Sequence, residues 1–268
     1  MTASAKGGPA AEGLVVEGLR KQYGDHTAVD GVSFSLAPGA CLAIVGESGS
    51  GKTTTVRMLV GLERPDGGTV RLDGRDRSAQ PRRRAERLAR AREMQMVFQD
   101  PYLSLDPRVT VAGCLDEVLR LHTDLDAAGR GTRVTGLLDQ VGLGTREAAA
   151  LPRDLSGGQR QRVAIARALA VGPRILVLDE AVAALDVSIQ AQILELLTRI
   201  REASGIGYLF VTHDLAVVRH IADEVLVLKS GQVVETGPAS QVLDAPEHPY
   251  TRLLLDSVPR RRRSPAGP

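Results

Sequence analysis

The sequence has no tryptophan, little aromatic content of any kind, and only two cysteines, Cys41 and Cys114. Two isolated cysteines make neither a disulfide framework nor a metal-ligand cluster, and they suit a reduced cytosolic compartment. No stretch approaches the ~18 uninterrupted apolar residues of a membrane span. The Ala/Gly-rich start, residues 1–13, has no apolar core that would make it a secretory signal. Excess charge is missing too: a formal net +2 gives no argument for nucleic acid as a partner. Lysine is nearly absent, with Lys6, Lys21, Lys52 and Lys229 alone among 34 basic residues. That bias fits a GC-rich genome, and one of the four survivors, Lys52, follows the glycine- and serine-rich run 46–51. What remains is an ordinary globular composition at 268 residues, the size of one large α/β unit with subdomains. A membrane role would require docking on other chains that cross the bilayer.

Along the chain, Leu14–Glu17 and Val32–Leu36 read as strands, punctuated by Gly24–Asp25 and Pro38–Gly39. Cys41–Val45 is an apolar run of the length of a buried parallel strand. Helical signals run from Lys52 to about Val60, then a strand and turn at Thr69–Gly74. Pro81–Arg92 is an arginine-rich helix candidate, read as a solvated face because Glu86 interrupts it and no aromatics interleave. Met94–Phe98, Ile175–Leu178, Tyr208–Thr212 and Val225–Leu228 complete the core strands. Val109–Leu143 reads mainly as helices, and Ile189, Ile193, Leu196, Leu197 and Ile200 mark one apolar helix face. Strands alternating with helices imply a parallel sheet covered on both sides. The tails, residues 1–13 and 260–268, are expected to be disordered; the second is basic, with Arg260–Arg263 placed to brush anionic lipid headgroups.

Gly46–Glu47–Ser48–Gly49–Ser50–Gly51–Lys52–Thr53 fits G-x-x-x-x-G-K-S/T in full, after an apolar strand and before a helix. Glycines let successive N–H groups turn inward toward phosphate oxygens, and the helix that follows adds its positive end. Lys52 is placed to reach the β- and γ-phosphates, Thr53 to ligate Mg²⁺, and Thr54 adjoins them. The signal specifies a nucleoside triphosphate, not a particular machine. Asp179–Glu180 ends an apolar strand, where an aspartate beside a phosphate loop can hold Mg²⁺ and Glu180 can polarise the attacking water. A solvated loop is the bland reading of such a pair in isolation. In Leu155–Ser156–Gly157–Gly158–Gln159, Ser156 is a good N-cap and two glycines expose amides at a helix start. This second anion-binding helix end is surplus to the chain's own nucleotide, and physics alone leaves its role open.

At this segment the sequence resembles the ABC (ATP-binding cassette) ATPases, whose signature is LSGGQ. The resemblance covers roughly Leu14 to Pro259 and includes every expected motif in order. It implies an α/β P-loop NTPase cassette with a parallel-sheet core, an N-terminal antiparallel β subdomain and a helical signature subdomain at about 103–170. It also implies roles: Tyr23 stacks on adenine, Gln99 is the Q-loop glutamine that senses Mg²⁺ and contacts membrane subunits, Asp186 belongs to the D-loop, and His213 grips the γ-phosphate. Two cassettes then pack head to tail, each ATP lying between one phosphate loop and the partner's Ser156-type signature. The expected cofactors are ATP and Mg²⁺. One departure stands out: where the family often reads DEPTSALD, this chain has Ala181 after Glu180, which is expected to alter loop stiffness rather than remove activity.

Two further segments, Gln99–Arg108 and His248–Pro259, resemble the ATPases of oligopeptide, dipeptide and nickel importers. Some of those relatives carry an iron–sulfur centre on C-terminal cysteines; with no cysteine after Cys114, none is expected here. The branch implies a second ATPase chain of different sequence, two permeases, an external solute-binding protein, and a place on the cytoplasmic face of the membrane. Peptide is the default cargo, with nickel or other small solutes as alternatives. A soluble ABC ATPase of chromosome maintenance is the rival reading, but about a hundred residues between Lys52 and Ser156, without sustained heptads, leave no room for its long coiled coil. A non-enzymatic ATP-binding regulator is disfavoured by the presence of both Glu180 and His213.

Overall fold

The structure, a computed structural model, describes residues 13–257, so the expected tails (Gly13 apart) and the last two residues of the His248–Pro259 segment lie outside the described residues. In chain order the elements are β1 (Leu14–Tyr23), β2 (His26–Leu36), β3 (Cys41–Val45), α1 (Lys52–Leu59), β4 (Gly67–Leu72), β5 (Arg75–Asp76), α2 (Arg84–Glu93) and β6 (Met94–Val97). There follow α3 (Val111–His122), α4 (Ala127–Gln140), α5 (Thr145–Ala149), α6 (Gly157–Leu169), β7 (Ile175–Asp179) and α7 (Val187–Ser204). The last third holds β8 (Gly207–Val211), α8 (Leu215–Ile221), β9 (Glu224–Lys229), β10 (Gln232–Pro238), α9 (Ala239–Asp244) and α10 (Pro249–Asp256).

Two sheets organise these elements. An antiparallel sheet runs β2–β1–β4–β5, and a larger sheet runs β10–β9–β3–β8–β7–β6. Within the larger sheet β9, β3, β8, β7 and β6 pair in parallel, and β10 closes one edge antiparallel to β9. The continuous apolar runs of β3, β7 and β8 are buried at every position, as strands covered on both faces must be. The edge strand β10 had no sequence expectation. Its alternation is broken by a register shift between Val233 and Glu235 and it ends in Gly237–Pro238, so the period-two signal is lost.

Side-chain alternation sorts the core into layers. Leu42, Ile44, Val177 and Leu209 face α1 and the antiparallel sheet, joining Val56, Leu59, Val16 and Leu72. Leu176, Leu178, Tyr208 and Phe210 face the opposite way, onto α6 and α7 and through them onto α3 and α4. Ala43 and Val45 meet a third, smaller cluster from α8, α9 and α10. Helix ends are set by local chemistry: Asp126 accepts from Gly129 N–H to start α4, and Gly205, at φ 68°, stops α7 in the left-handed conformation. Helix α4 forms despite Gly129, Gly131 and Gly136 because Val134, Leu137 and Leu138 bury its inner face. The arginine-rich α2 buries no residue, as a solvated face requires.

Candidate functional site

The phosphate loop connects β3 to α1 and so starts at the carboxyl edge of the central parallel strand. Gly46 cannot be replaced without distortion. Its φ is 151°, and a Cβ there would stand 2.2 Å from the Leu228 carbonyl oxygen. Gly51, at φ 100°, brings the loop within 2.4 Å of the Ala28 carbonyl by the same measure. Lys52 is 6% exposed, and its ammonium donates to the carbonyls of Gly46 at 2.8 Å and Glu47 at 2.7 Å. Burial lowers its pKa, against the opposing pull of the Glu180, Asp179 and Glu47 carboxylates. Beside it, Thr53 donates its hydroxyl to Asp179 at 3.3 Å. Burial raises the Asp179 pKa, and the Thr53 hydrogen bond works the other way.

These two oxygen donors fit a hard divalent cation. Mg²⁺ takes one or two protein oxygens and leaves its other positions to phosphate and water. Among the described residues no group of three or more His, Cys, Asp or Glu forms an all-protein cage, so such a cation would rely on the nucleotide for further ligands.

Glu180 follows β7 directly and adopts φ 48°, a left-handed conformation that costs a non-glycine residue about 1–2 kcal/mol. Its N–H is pinned to the Val211 carbonyl at 2.9 Å, so the bend is held by the neighbouring strand β8. The Glu180 carboxylate lies 3.4 Å from Nδ1 of His213, which projects from the loop after β8. After Glu180, Ala181 and Val182 are buried.

An open cavity of about 270 Å³ lies over the loop, lined by Tyr23, Ser48, Gly49, Gly51, Lys52, Thr53, Thr54 and Glu180. His26 and Ala28 also line it, and sequence reasoning did not single them out. The signal was present in the Gly24–Asp25 turn, which folds the hairpin so that His26 pairs with Tyr23. Tyr23 is 46% exposed and its ring lies 5.1 Å from the Lys21 ammonium.

Gln99, Asp186 and Ser156–Gln159 do not line this cavity. Gln99 lies exposed on the loop after β6, and Asp186 is exposed at the start of α7. Ser156 caps α6 in a reciprocal box: its Oγ accepts from Gln159 N–H at 3.2 Å, and Gln159 Oε1 accepts from Ser156 N–H at 2.9 Å. Ser156 and Gly157 face solvent. A Cβ on Gly158 would stand 2.6 Å from Ile189 Cγ2, so this glycine lets α6 pack closely on α7.

The sequence model of the ABC transporter family matches residues 29–183, more than half the chain, from β2 to just beyond Glu180. The chain belongs to the ABC transporter family. It is the ATP-hydrolysing subunit of an ABC transporter. A second match, to the C-terminal region of oligopeptide/dipeptide transporters, covers residues 234–266. A protein named for peptide import ATP binding in Brucella abortus (strain 2308) is 50% identical over 236 residues, spanning 88% of this chain and 70% of that protein. Glutathione import ATP-binding protein GsiA of Escherichia coli (strain K12) is 48% identical over 251 residues, 94% of this ABC chain but only 39% of GsiA. Among solved structures, cbiO1 of Clostridium perfringens, part of the ABC transporter complex cbiONQ, superposes with a TM-score of 0.78 at 29% identity, covering 87% of this chain and 90% of cbiO1. The dimeric ATP-binding cassette MJ0796, in a post-hydrolysis state with ADP and Pi, gives 0.75 at 30% identity, covering 84% and 98%. Among the described residues of this ABC subunit no helix is long and apolar enough to cross a membrane.

Proposed function

We propose that this subunit powers a bacterial importer of peptides from the cytoplasmic face of the membrane. In this reading it binds MgATP at the phosphate loop and hydrolyses it in a head-to-tail pair with a second, different ATPase chain. The observation that carries the reading is the separation of two helix ends suited to anions: the α1 end lines the cavity, whereas the α6 end, exposed at Ser156 and Gly157, does not. A surplus helix end that faces solvent is explained if it completes a neighbour's nucleotide site. The pairing of this cassette with a C-terminal segment of the oligopeptide/dipeptide type, and the likeness to proteins named for peptide and glutathione import, support peptide as cargo.

Each side chain then has a task. Tyr23 stacks on the adenine, and the amides of Gly49–Thr54 cradle the phosphates with Lys52. Thr53 and Asp179, with Gln99 from the loop after β6, hold Mg²⁺, which when bound neutralises charge on the β- and γ-phosphates. Glu180 takes the proton of the attacking water, and His213 orients the γ-phosphate beside it. Ser156, Gly157, Gly158 and Gln159 serve the partner's γ-phosphate, with Asp186 at the shared boundary. Gln99 also faces the permeases and couples hydrolysis to their motion.

Affinity purification from detergent-solubilised native membranes tests the transport reading. Two multispanning permeases and a sibling ATPase are the expected companions, and the external binding protein of that system then identifies the cargo. Recovery with soluble partners alone would remove transport and leave a free-standing ATPase.

A further inference from the structure

The His248–Pro249–Tyr250 segment lies in the C-terminal region shared with oligopeptide/dipeptide transporters, and its geometry leads straight to the phosphate loop. His248 is the N-cap of α10, its Nδ1 accepting from Tyr250 N–H at 3.1 Å, and Pro249 occupies the first helical position, where no N–H is needed. The Glu235 carboxylate on β10 accepts from the N–H groups of Glu247 at 2.8 Å and His248 at 3.1 Å, which ties the helix start to the sheet edge. Held this way, Tyr250 is 4% exposed, packed in the cluster that contains Ala43 and Val45 of β3 and Val225 and Val227 of β9. The Lys229 ammonium lies 4.9 Å from the centre of its ring. From there the Tyr250 hydroxyl accepts a hydrogen bond from the backbone N–H of Glu47 at 3.1 Å. Glu47 is the second residue of the phosphate loop, and its carbonyl is one of the two that hold Lys52.

We propose that Tyr250 is a positioning residue for nucleotide binding: through Glu47 it fixes the entrance of the phosphate loop and thereby the Lys52 ammonium, linking the C-terminal helix to ATP affinity. The inference rests on the phosphate-loop reading above. The arrangement has a simple logic. A loop of Gly46–Glu47–Ser48–Gly49–Ser50–Gly51 has little side-chain packing of its own, and Glu47, Ser48 and Gly49 are exposed. A hydrogen bond from a buried, rigid ring supplies a fixed point that glycines cannot, so less ordering remains to be done when phosphate arrives. Tyr250 touches no nucleotide in this scheme; it acts through the backbone.

The test uses the full chain and a fluorescent ATP analogue with Mg²⁺, which reads cleanly because the protein has no tryptophan. Three variants are compared: Tyr250→Phe, which keeps the ring and removes only the hydroxyl; Leu253→Ala, on the same helix but 67% exposed; and Lys52→Ala. One lost hydrogen bond corresponds to an affinity change of about two- to tenfold. Tyr250→Phe is expected to weaken nucleotide binding in that range and to speed amide hydrogen exchange in the 46–51 peptide, with exchange in α10 unchanged and Leu253→Ala silent. If Lys52→Ala abolishes binding while Tyr250→Phe leaves affinity and loop exchange at wild-type values, the positioning role is wrong. Faster exchange throughout α10 as well would likewise overturn it, since Tyr250 would then only anchor the helix. Full binding by Lys52→Ala would instead strike at the phosphate-loop reading itself.

Discussion

At the scale of single residues, the site stores cost where the chemistry is proposed to occur. Asp179 shows this most directly. Burial raises its pKa, so the native state favours its protonated form, and the associated stability is present below the ordinary aspartate value near 4 and is lost as pH rises through the native value. Asp179→Asn removes the ionisation while keeping an oxygen that can accept from Thr53. It is therefore expected to raise the thermal midpoint of the nucleotide-free protein at pH 7, with the gain over wild type shrinking as pH falls through the raised native value and absent below the ordinary value of about 4, and to lose Mg²⁺-dependent nucleotide binding. Thermal melts across pH, with and without MgATP, check both halves. Glu180→Gln keeps shape and removes the base. Hydrolysis with the partner chain present is expected to fall by about 10²–10⁴-fold while ATP binding persists; steady-state turnover at the wild-type rate would contradict the assignment. Residue-level legibility was uneven. The meeting of Gly46–Thr53 with Asp179–Glu180 was readable because both motifs are defined by residue type and spacing within a few positions. The left-handed turn at Glu180 and the Tyr250 contact were not, because they depend on segments brought together only by the fold, whereas His26 was signalled by the Gly24–Asp25 turn that pairs it with Tyr23.

At the scale of elements, buried periodicity carried most of the information. The continuous runs of β3, β7 and β8 and the stripe on α7 were visible because their burial is uniform or one-sided. Ile189 marks the edge of that stripe: it is only partly buried, packing against the core on one side and over Gly158 on the other. The edge strand β10, with its bulge and terminal proline, had no such pattern to offer. Helix α4 runs against its own propensities, which makes it improvable. Gly131 and Gly136 have helical backbone and nothing within 4 Å of an added Cβ. Gly131→Ala and Gly136→Ala are each expected to stabilise by about 0.5–1 kcal/mol, raising the thermal midpoint by a few degrees together without altering ATP hydrolysis. Gly158→Ala should do the reverse. Its methyl group meets Ile189, and a loss of about 1–3 kcal/mol is expected, largely restored by adding Ile189→Ala. Failure of that rescue would show that Gly158 is needed for its backbone rather than for the packing of α6 on α7.

At the scale of the whole molecule, ATP is expected to act as an adhesive between two cassettes. Glu180→Gln, mixed with its partner chain and MgATP, should elute as a two-cassette particle in size-exclusion chromatography and separate when Mg²⁺ is chelated. The strand order has a different consequence, one that bears on synthesis. β3 carries the phosphate loop at its end, but its neighbours in the sheet are β8 and β9, made some 160 to 180 residues later. A nascent chain therefore leaves the hydrogen-bonding edges of its central strand unpaired on the ribosome, one until Val211 and the other until Lys229 has emerged, and it lacks the Tyr250 support for longer still. Nucleotide binding is then a late event, and a prematurely terminated chain is a candidate for chaperones and proteolysis rather than a competitor for ATP.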